Sequence, residues 1–259
     1  MDNKSINLKP TILLSFLSVG IMFLLYGLTQ AKFFGPNPVG QGGNFNAPLI
    51  VPEPYAFAIW GVIYTGLLIF PIYQWFKRTE GNALWKKVHI WFSLNVIANG
   101  LWLAAASLDW LVVSVSIIVF MLITLYQINN LLVRISNSGD GLSYWPEKFV
   151  FSIYFAWITL ATALNITAAL VYYQWDGFGL GDIPWSVAIL SVAALIAGVI
   201  FWKYRDVAFA GVVLWAFTAL VVKHMGVNPV LAYLSIGVII LYVVLIILSQ
   251  KKVKTLAVQ

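Results

Sequence analysis

The 259-residue chain contains 61% hydrophobic and only 9% charged residues, with a formal net charge of +6 at pH 7. A soluble domain carries about a quarter charged residues, so most of this surface must face lipid, and we expect an integral membrane protein. Cysteine is absent, which excludes disulfides, thiolate metal ligands and cysteine nucleophiles. Two histidines and nine acidic residues supply a metal site poorly, so we expect neither a metal nor a catalytic group.

Eight apolar segments are long enough to cross a bilayer as helices, which takes about 20 residues. In chain order they are residues 11–30, 55–76, 88–107, 110–133, 148–173, 185–203, 207–223 and 229–250. Only Leu108 and Asp109 separate the third and fourth segments, which predicts a tight hairpin. Three glycines and two acidic residues separate the fifth and sixth. The predicted fold class is therefore all-α, a polytopic membrane helix bundle of about eight transmembrane helices.

The basic residues test this number of spans independently. If the chain starts in the cytoplasm, all of the 15 Lys and Arg residues except Lys32 and Lys223 lie in cytoplasmic segments, as the positive-inside rule requires. We therefore expect both termini to be cytoplasmic. The same asymmetry explains the net charge without a nucleic-acid partner. The first span is long for the apolar region of a signal peptide, and we expect it to be retained.

The polar residues inside the predicted spans are neutral. No Asp, Glu, Lys or Arg lies in the middle of a span, which argues against proton pumps, voltage sensors and transporters built on buried charges. Most of the scattered Ser and Thr side chains are expected to hydrogen-bond neighbouring helices.

Aromatic and amide residues share one face of the fifth span. Tyr154, Trp157, Ala161 and Asn165 follow one another at intervals of three or four residues, which places them on the same side of a helix. Such a stripe is either ordinary packing or the wall of a pocket, in which flat rings stack and an amide orients a ligand.

The second and third spans carry residues of the same kinds. They are Tyr55, Phe57, Trp60 and Tyr64 in the second, and Asn95, Asn99 and Trp102 in the third. By the predicted topology Trp60, Trp102 and Asn165 lie in the outer half of the bilayer, so we expect them to converge. The loop of residues 31–54, rich in Pro and Gly, lies on the same side. A loop of this length is usually functional or disordered, and we expect either a lid or a flexible connector.

At these residues the sequence resembles the tryptophan-rich sensory protein family, the TspO or translocator-protein group. The fifth span is similar to the family's PYLxWxxFxxxLN segment at Tyr154, Trp157 and Asn165. Ile153 stands where the family has proline.

Two further segments carry the resemblance. Asn95, Asn99 and Trp102 look like the family's QLxxNxxW segment, with asparagine in place of glutamine. Residues 54–64 are similar to its PPxWVFxxxWxxLY segment, one residue shorter before Trp60.

The resemblance covers about residues 11–173, and the family usually has five helices. It implies a TspO-like five-helix core in residues 1–173, with the long first loop 31–54, and a three-helix membrane extension in residues 174–259. It also implies a ligand pocket among the five core helices under the first loop, in a bacterial cytoplasmic membrane. The family's ligands are tetrapyrroles, sterols and synthetic compounds.

Carried over by position, the resemblance assigns Trp60 and Trp157 to porphyrin binding and to light-dependent porphyrin degradation, and Asn99 and Asn165 to the pocket amides. The sterol-binding pattern is absent, because no Lys or Arg closely follows Tyr173. The resemblance implies a bound porphyrin or haem-like tetrapyrrole and no covalent cofactor. The expected ligand-binding residues are Trp60, Trp157, Asn99, Asn165, Tyr154, Trp102, Phe57, Tyr64, Asn95 and Ala161.

The favoured hypothesis is a membrane receptor or transport protein for an apolar planar ligand of porphyrin type, with a regulatory or stress-response role. An intramembrane enzyme acting on a tetrapyrrole or isoprenoid is less favoured, because no titratable pair inside the bundle could serve as acid and base. A structural protein that docks a partner through the last three spans is a third reading. The expected partners are the lipid bilayer and a small hydrophobic ligand. Small-residue faces such as residues 61–66 and 104–106 permit a homodimer.

Overall fold

A computed structural model describes residues 7–35, 47–77, 83–139 and 141–256, with the backbone alone for 251–256. Within these ranges eight helices are long and apolar enough to cross a membrane. They are α1 Lys9–Gln30, α2 Ile59–Phe76, α3 Ala83–Ser107, α4 Leu111–Asn137, α5 Val150–Tyr172, α6 Asp182–Tyr204, α7 Val207–His224 and α8 Pro229–Leu256. Shorter helical turns are Pro54–Ala58, Tyr144–Phe149 and Gly177–Gly179. The predicted all-α membrane bundle is confirmed.

Several helices are longer than the apolar segments that predicted them. Helix α3 begins at Ala83 rather than at residue 88, and α4 ends at Asn137 rather than at 133. Helical hydrogen bonds do not stop at the edge of the hydrocarbon, and long basic side chains can reach water from a helix end. Hydropathy therefore locates the spans better than the helix ends.

The helices belong to two compact units. One contains residues 1–43 and 59–155, and the other contains residues 44–58 and 156–259. One boundary falls inside α5, so that helix contributes its first turns to the first unit and the remainder to the second. The predicted division into a core, 1–173, and an extension, 174–259, uses a different criterion and stays a prediction.

In the first unit α3 packs against both α1 and α4. A Cβ added to Gly100 would lie 2.7 Å from Leu25 Cδ1 and 3.2 Å from Met22 Cα, so the missing side chain permits close approach of α1 and α3. Asn95 Nδ2 donates hydrogen bonds to Met121 O at 3.1 Å and Thr124 Oγ1 at 2.7 Å. These bonds connect α3 to α4.

In the second unit α7 packs against α8, and α8 also contacts α6. Buried Tyr242 donates from its hydroxyl to Ala194 O at 2.9 Å, which connects α8 to α6. Asp206 begins α7, because its carboxylate accepts from Ala208 N at 2.9 Å and from Phe209 N at 3.3 Å. These contacts position the helices that surround the candidate site.

Candidate ligand-binding site

The predicted ligand-binding residues fall in both units. Those in the first unit are Trp60, Tyr64, Asn95, Asn99, Trp102 and Tyr154. Those in the second unit are Phe57, Trp157, Ala161 and Asn165. The neighbouring residues Tyr154 and Trp157 of α5 thus belong to different units.

The first group forms an aromatic cluster centred on Trp60. Its indole is stacked on that of Trp102, with ring centroids 5.9 Å apart and planes at 27°. Tyr64 lies at 5.2 Å and Tyr154 at 6.1 Å from the Trp60 ring. Trp102 and Tyr154 are buried and Trp60 is half-buried. Two of the three residues expected to converge, Trp60 and Trp102, are therefore in direct ring contact.

Asn99 lies beside this cluster and is hydrogen-bonded within it. Its Nδ2 donates to Tyr154 Oη at 2.8 Å, and its Oδ1 accepts from Tyr64 Oη at 3.3 Å. The amide predicted to orient a ligand is thus held by two phenols. Asn95 serves the contact of α3 with α4, and its buried Oδ1 has no hydrogen-bond partner among the described residues.

The second group includes two residues that line an apolar cavity of about 50 Å³. We call it the Trp157 cavity, because Trp157 and Ala161 form its α5 wall. Phe57 lies edge-on to the Trp157 indole, at 5.7 Å and 88°. Asn165 donates from Nδ2 to Ala161 O of its own helix at 2.9 Å. The rest of the cavity lining is Ile50, Pro52, Leu160, Ala163, Leu164, Ile189, Leu190, Ala193, Ala216, Phe217 and Leu220.

The α6 and α7 walls of this cavity were not predicted from the sequence. Ala193 of α6 and Ala216 of α7 are buried there, and their short side chains leave space that leucine would fill. Alanine on the buried face of an apolar helix was the available signal, but close helix packing uses the same residue.

The segment that precedes α2 supplies the remaining wall. Residues 47–58, which we call the strap, contribute Ile50 and Pro52 to the lining. Three side chains of α7 hydrogen-bond its carbonyl oxygens: Trp215 Nε1 to Ala56 O at 3.0 Å, Lys223 Nζ to Val51 O at 2.7 Å, and His224 Nε2 to Leu49 O at 2.9 Å. Because a carbonyl oxygen only accepts, His224 must carry a proton on Nε2. The predicted lid, residues 31–54, overlaps the strap, and its residues 36–46 lie outside the described chain.

The cavity is lined by apolar side chains, one of which is the indole of Trp157. Such a wall offers dispersion and ring stacking but no acid–base pair. Across the described ranges, no group of three or more His, Asp or Glu residues is placed to hold a metal ion. A larger hollow of about 470 Å³ lies between α3 and α4, but its walls include exposed side chains such as Leu101, Val112 and Phe120.

A sequence model of the TSPO-like protein family matches residues 12–248. The match reaches into α8, so it includes the helices predicted as an extension. No curated protein and no solved structure matched the chain. Together with the eight candidate spans, the match indicates an integral membrane protein and suggests a ligand-binding or transport role. This chain belongs to the TSPO-like protein family.

Proposed function

We propose that this protein is a membrane receptor or transporter for an apolar planar ligand, a porphyrin-type tetrapyrrole, with a regulatory or stress-response role. The observation that carries the proposal is the Trp157 cavity, an apolar space inside one unit with an indole in its wall. A macrocycle can stack on that indole, and apolar walls favour its removal from water. The resemblance assigned Trp157 to the same task.

The size of the cavity adds a requirement to this proposal. Pockets for drug-sized ligands have volumes of about 300–1,000 Å³, whereas the Trp157 cavity has about 50 Å³. A tetrapyrrole therefore enters only if a wall moves. The strap precedes α2, and its residues 47–53 lie outside the candidate membrane spans and form no regular helix. Displacement of residues 47–53 therefore requires no membrane helix to move.

Binding is tested by titrating protoporphyrin IX into the purified protein in lipid nanodiscs and following the porphyrin's absorbance. Ala161→Leu narrows the cavity, and Trp157→Leu removes the stacking surface. We expect saturable binding by the wild type and about two- to tenfold weaker binding by both variants, the size of one lost stacking contact. Trp202→Phe is the matched control, because Trp202 is 46% exposed and lines no part of the cavity.

Two results would contradict the proposal. One is the absence of saturable porphyrin binding by a folded wild-type protein. The other is equal affinity in the wild type, Ala161→Leu and Trp157→Leu, which would place the porphyrin elsewhere on the protein.

A further inference from the structure

We infer that Lys223 and His224 form an anion subsite at the edge of the Trp157 cavity. When the ligand binds, these two side chains release the carbonyl oxygens of the strap and bind an acidic group of the ligand instead. This inference rests on the proposed function for the identity of its ligand. It adds the chemical class of that ligand, which is an apolar molecule that carries a carboxylate.

The position of the two donors is the first step of the argument. Leu220 of α7 lines the cavity, and Lys223 and His224 follow it by about one helical turn. The carbonyl groups they bond, those of Val51 and Leu49, adjoin the lining residue Ile50 in the strap. The two donors therefore lie next to the wall that must move.

The cost of moving the strap is the second step. His224 is 2% exposed and Lys223 is half-buried. When the strap leaves, both donors lose their acceptors. A donor buried without a partner carries a desolvation penalty, which is larger for a charged group than for a neutral one. The opened cavity therefore needs new acceptors at these positions.

A ligand carboxylate meets this need better than the backbone carbonyls. A carboxylate has two accepting oxygens, and hydrogen bonds in which the donor or the acceptor is ionised are roughly twice as strong as neutral ones. The apolar body of the ligand then occupies the cavity while its acid remains at the edge. A purely hydrocarbon ligand would offer no acceptor to Lys223 or to buried His224, so the exchange selects against it.

The three hydrogen bonds from α7 also hold the strap against the cavity. Trp215 holds Ala56 while Lys223 and His224 hold Val51 and Leu49. Removing one donor should make the strap easier to displace even when no ligand is present. This consequence can be measured separately from binding.

The subsite is tested by comparing protoporphyrin IX with its dimethyl ester in nanodiscs of phosphatidylcholine. We expect the wild type to bind the acid at least about tenfold more tightly, the size expected for a charge-assisted hydrogen bond. Lys223→Met, which leaves only His224 in the subsite, should lose most of this preference, and Lys223→Arg, which keeps the cation, should restore it. Lys87→Met, an exposed lysine of α3, is the control and should behave as the wild type.

Equal binding of the acid and the ester by the wild type would overturn the subsite and leave the proposed function standing. Failure of both to bind would overturn both. A second source of acid is the lipid, so the titration is repeated with phosphatidylglycerol in the disc. If that lipid removes the preference in the wild type but has no effect on Lys223→Met, the subsite binds a lipid headgroup and the assignment to a ring ligand is wrong.

The closing role of the strap has a readout without ligand. Since the chain has no cysteine, Ile50→Cys introduces a single thiol at a position that is 5% exposed. We expect the rate of maleimide labelling to rise several-fold when Lys223→Met or Trp215→Phe is added, while Lys87→Met has no effect. If Ile50→Cys is labelled at the same rate with and without Lys223→Met or Trp215→Phe, and the melting temperatures of these proteins are the same, then α7 does not hold the strap in place.

Discussion

The side-chain amide of Asn99 donates a hydrogen bond to the phenolic oxygen of Tyr154 over 2.8 Å. Both side chains are fully buried, so the bond joins the middle of α3 to the first turns of α5 where water cannot replace it. The sequence predicted Asn99 as a ligand amide. In the structure its nitrogen is already used for helix packing.

Tyr154→Phe should therefore destabilise the protein. The change leaves the Asn99 Nδ2 group buried without this acceptor, at a cost of about 1–3 kcal/mol in the free energy of unfolding. Tyr64→Phe is the matched variant and should cost less, because Tyr64 donates to Asn99 over the longer distance of 3.3 Å. Thermal melting in detergent measures both. If Tyr154→Phe melts as the wild type does, the amide is not needed for packing and can serve a ligand.

Lys77 and Glu147 should show strong energetic coupling. Lys77 Nζ lies 2.6 Å from Glu147 Oε1, and the wholly buried carboxylate also accepts from Gln74 Nε2 at 2.5 Å and from Ser143 N at 2.6 Å. Removing one partner of a buried ion pair costs about 3–5 kcal/mol. Lys77→Met and Glu147→Gln should each lower stability markedly, and the double variant should cost less than the sum of the two. Additive losses in this double-mutant cycle would mean that the pair contributes no coupling.

Two glycines of α2 should respond differently to alanine. At Gly66 a Cβ would collide with the Val150 side chain, whereas at Gly61 it would meet no atom within 4 Å. Gly66→Ala should lower the melting temperature, while Gly61→Ala should be neutral or stabilising by up to about 1 kcal/mol, the difference in helix propensity. A larger loss of stability in Gly61→Ala than in Gly66→Ala would contradict the packing of α2 on α5. Gly66, which belongs to one of the small-residue faces that would permit a homodimer, is thus already packed against Val150.

Filling the Trp157 cavity with a larger side chain should lower porphyrin affinity without lowering the stability of the protein. Ala216→Val adds two carbon atoms to a buried residue that lines the cavity. Because a cavity costs about 24 cal/mol per Å³, filling it should leave stability unchanged or raise it by up to about 1 kcal/mol, while porphyrin affinity falls. A large loss of stability would show instead that the space is not available to a side chain.

The predicted cytoplasmic position of both termini can be tested with introduced cysteines. Phe178 follows α5 and Ser138 follows α4, and both side chains are exposed. The predicted topology places residue 178 outside and residue 138 inside. A membrane-impermeant maleimide on intact cells should therefore label Phe178→Cys and not Ser138→Cys. If Ser138→Cys is labelled and Phe178→Cys is not, the orientation in the membrane is the opposite of the predicted one.

The sequence predicted the spans and the short hairpin between α3 and α4 because each has a residue-level cause. Apolar length determines a span, and a two-residue connection leaves room only for a tight turn, in which Asp109 has a φ of 55°. The spacing of residues on α5 also identified Trp157 and Ala161 as neighbours on one wall. These inferences depend on the types of the side chains and on their spacing along the chain, and both can be read from a single sequence.

The strap and the buried ion pair could not be predicted in the same way. The strap accepts hydrogen bonds through backbone carbonyls, which nearly every residue can offer, so nothing distinguished Val51 or Leu49 in advance. Lys223 was visible only as an exception to the charge rule. Glu147 lies just before the fifth apolar segment, and no sequence pattern indicated that it would be buried in the turn Tyr144–Phe149 beside Lys77.

The most direct test of a ring ligand beside Trp157 is to find which tryptophans a bound porphyrin oxidises. Protoporphyrin-loaded protein in nanodiscs is illuminated in air, digested, and examined by mass spectrometry for oxygen added to indoles. Binding in the Trp157 cavity predicts that Trp157 is modified first, ahead of the exposed Trp110 and Trp202, and that Ala161→Leu abolishes this order. Early oxidation of Trp110 and Trp202 with an intact Trp157 would contradict binding in that cavity.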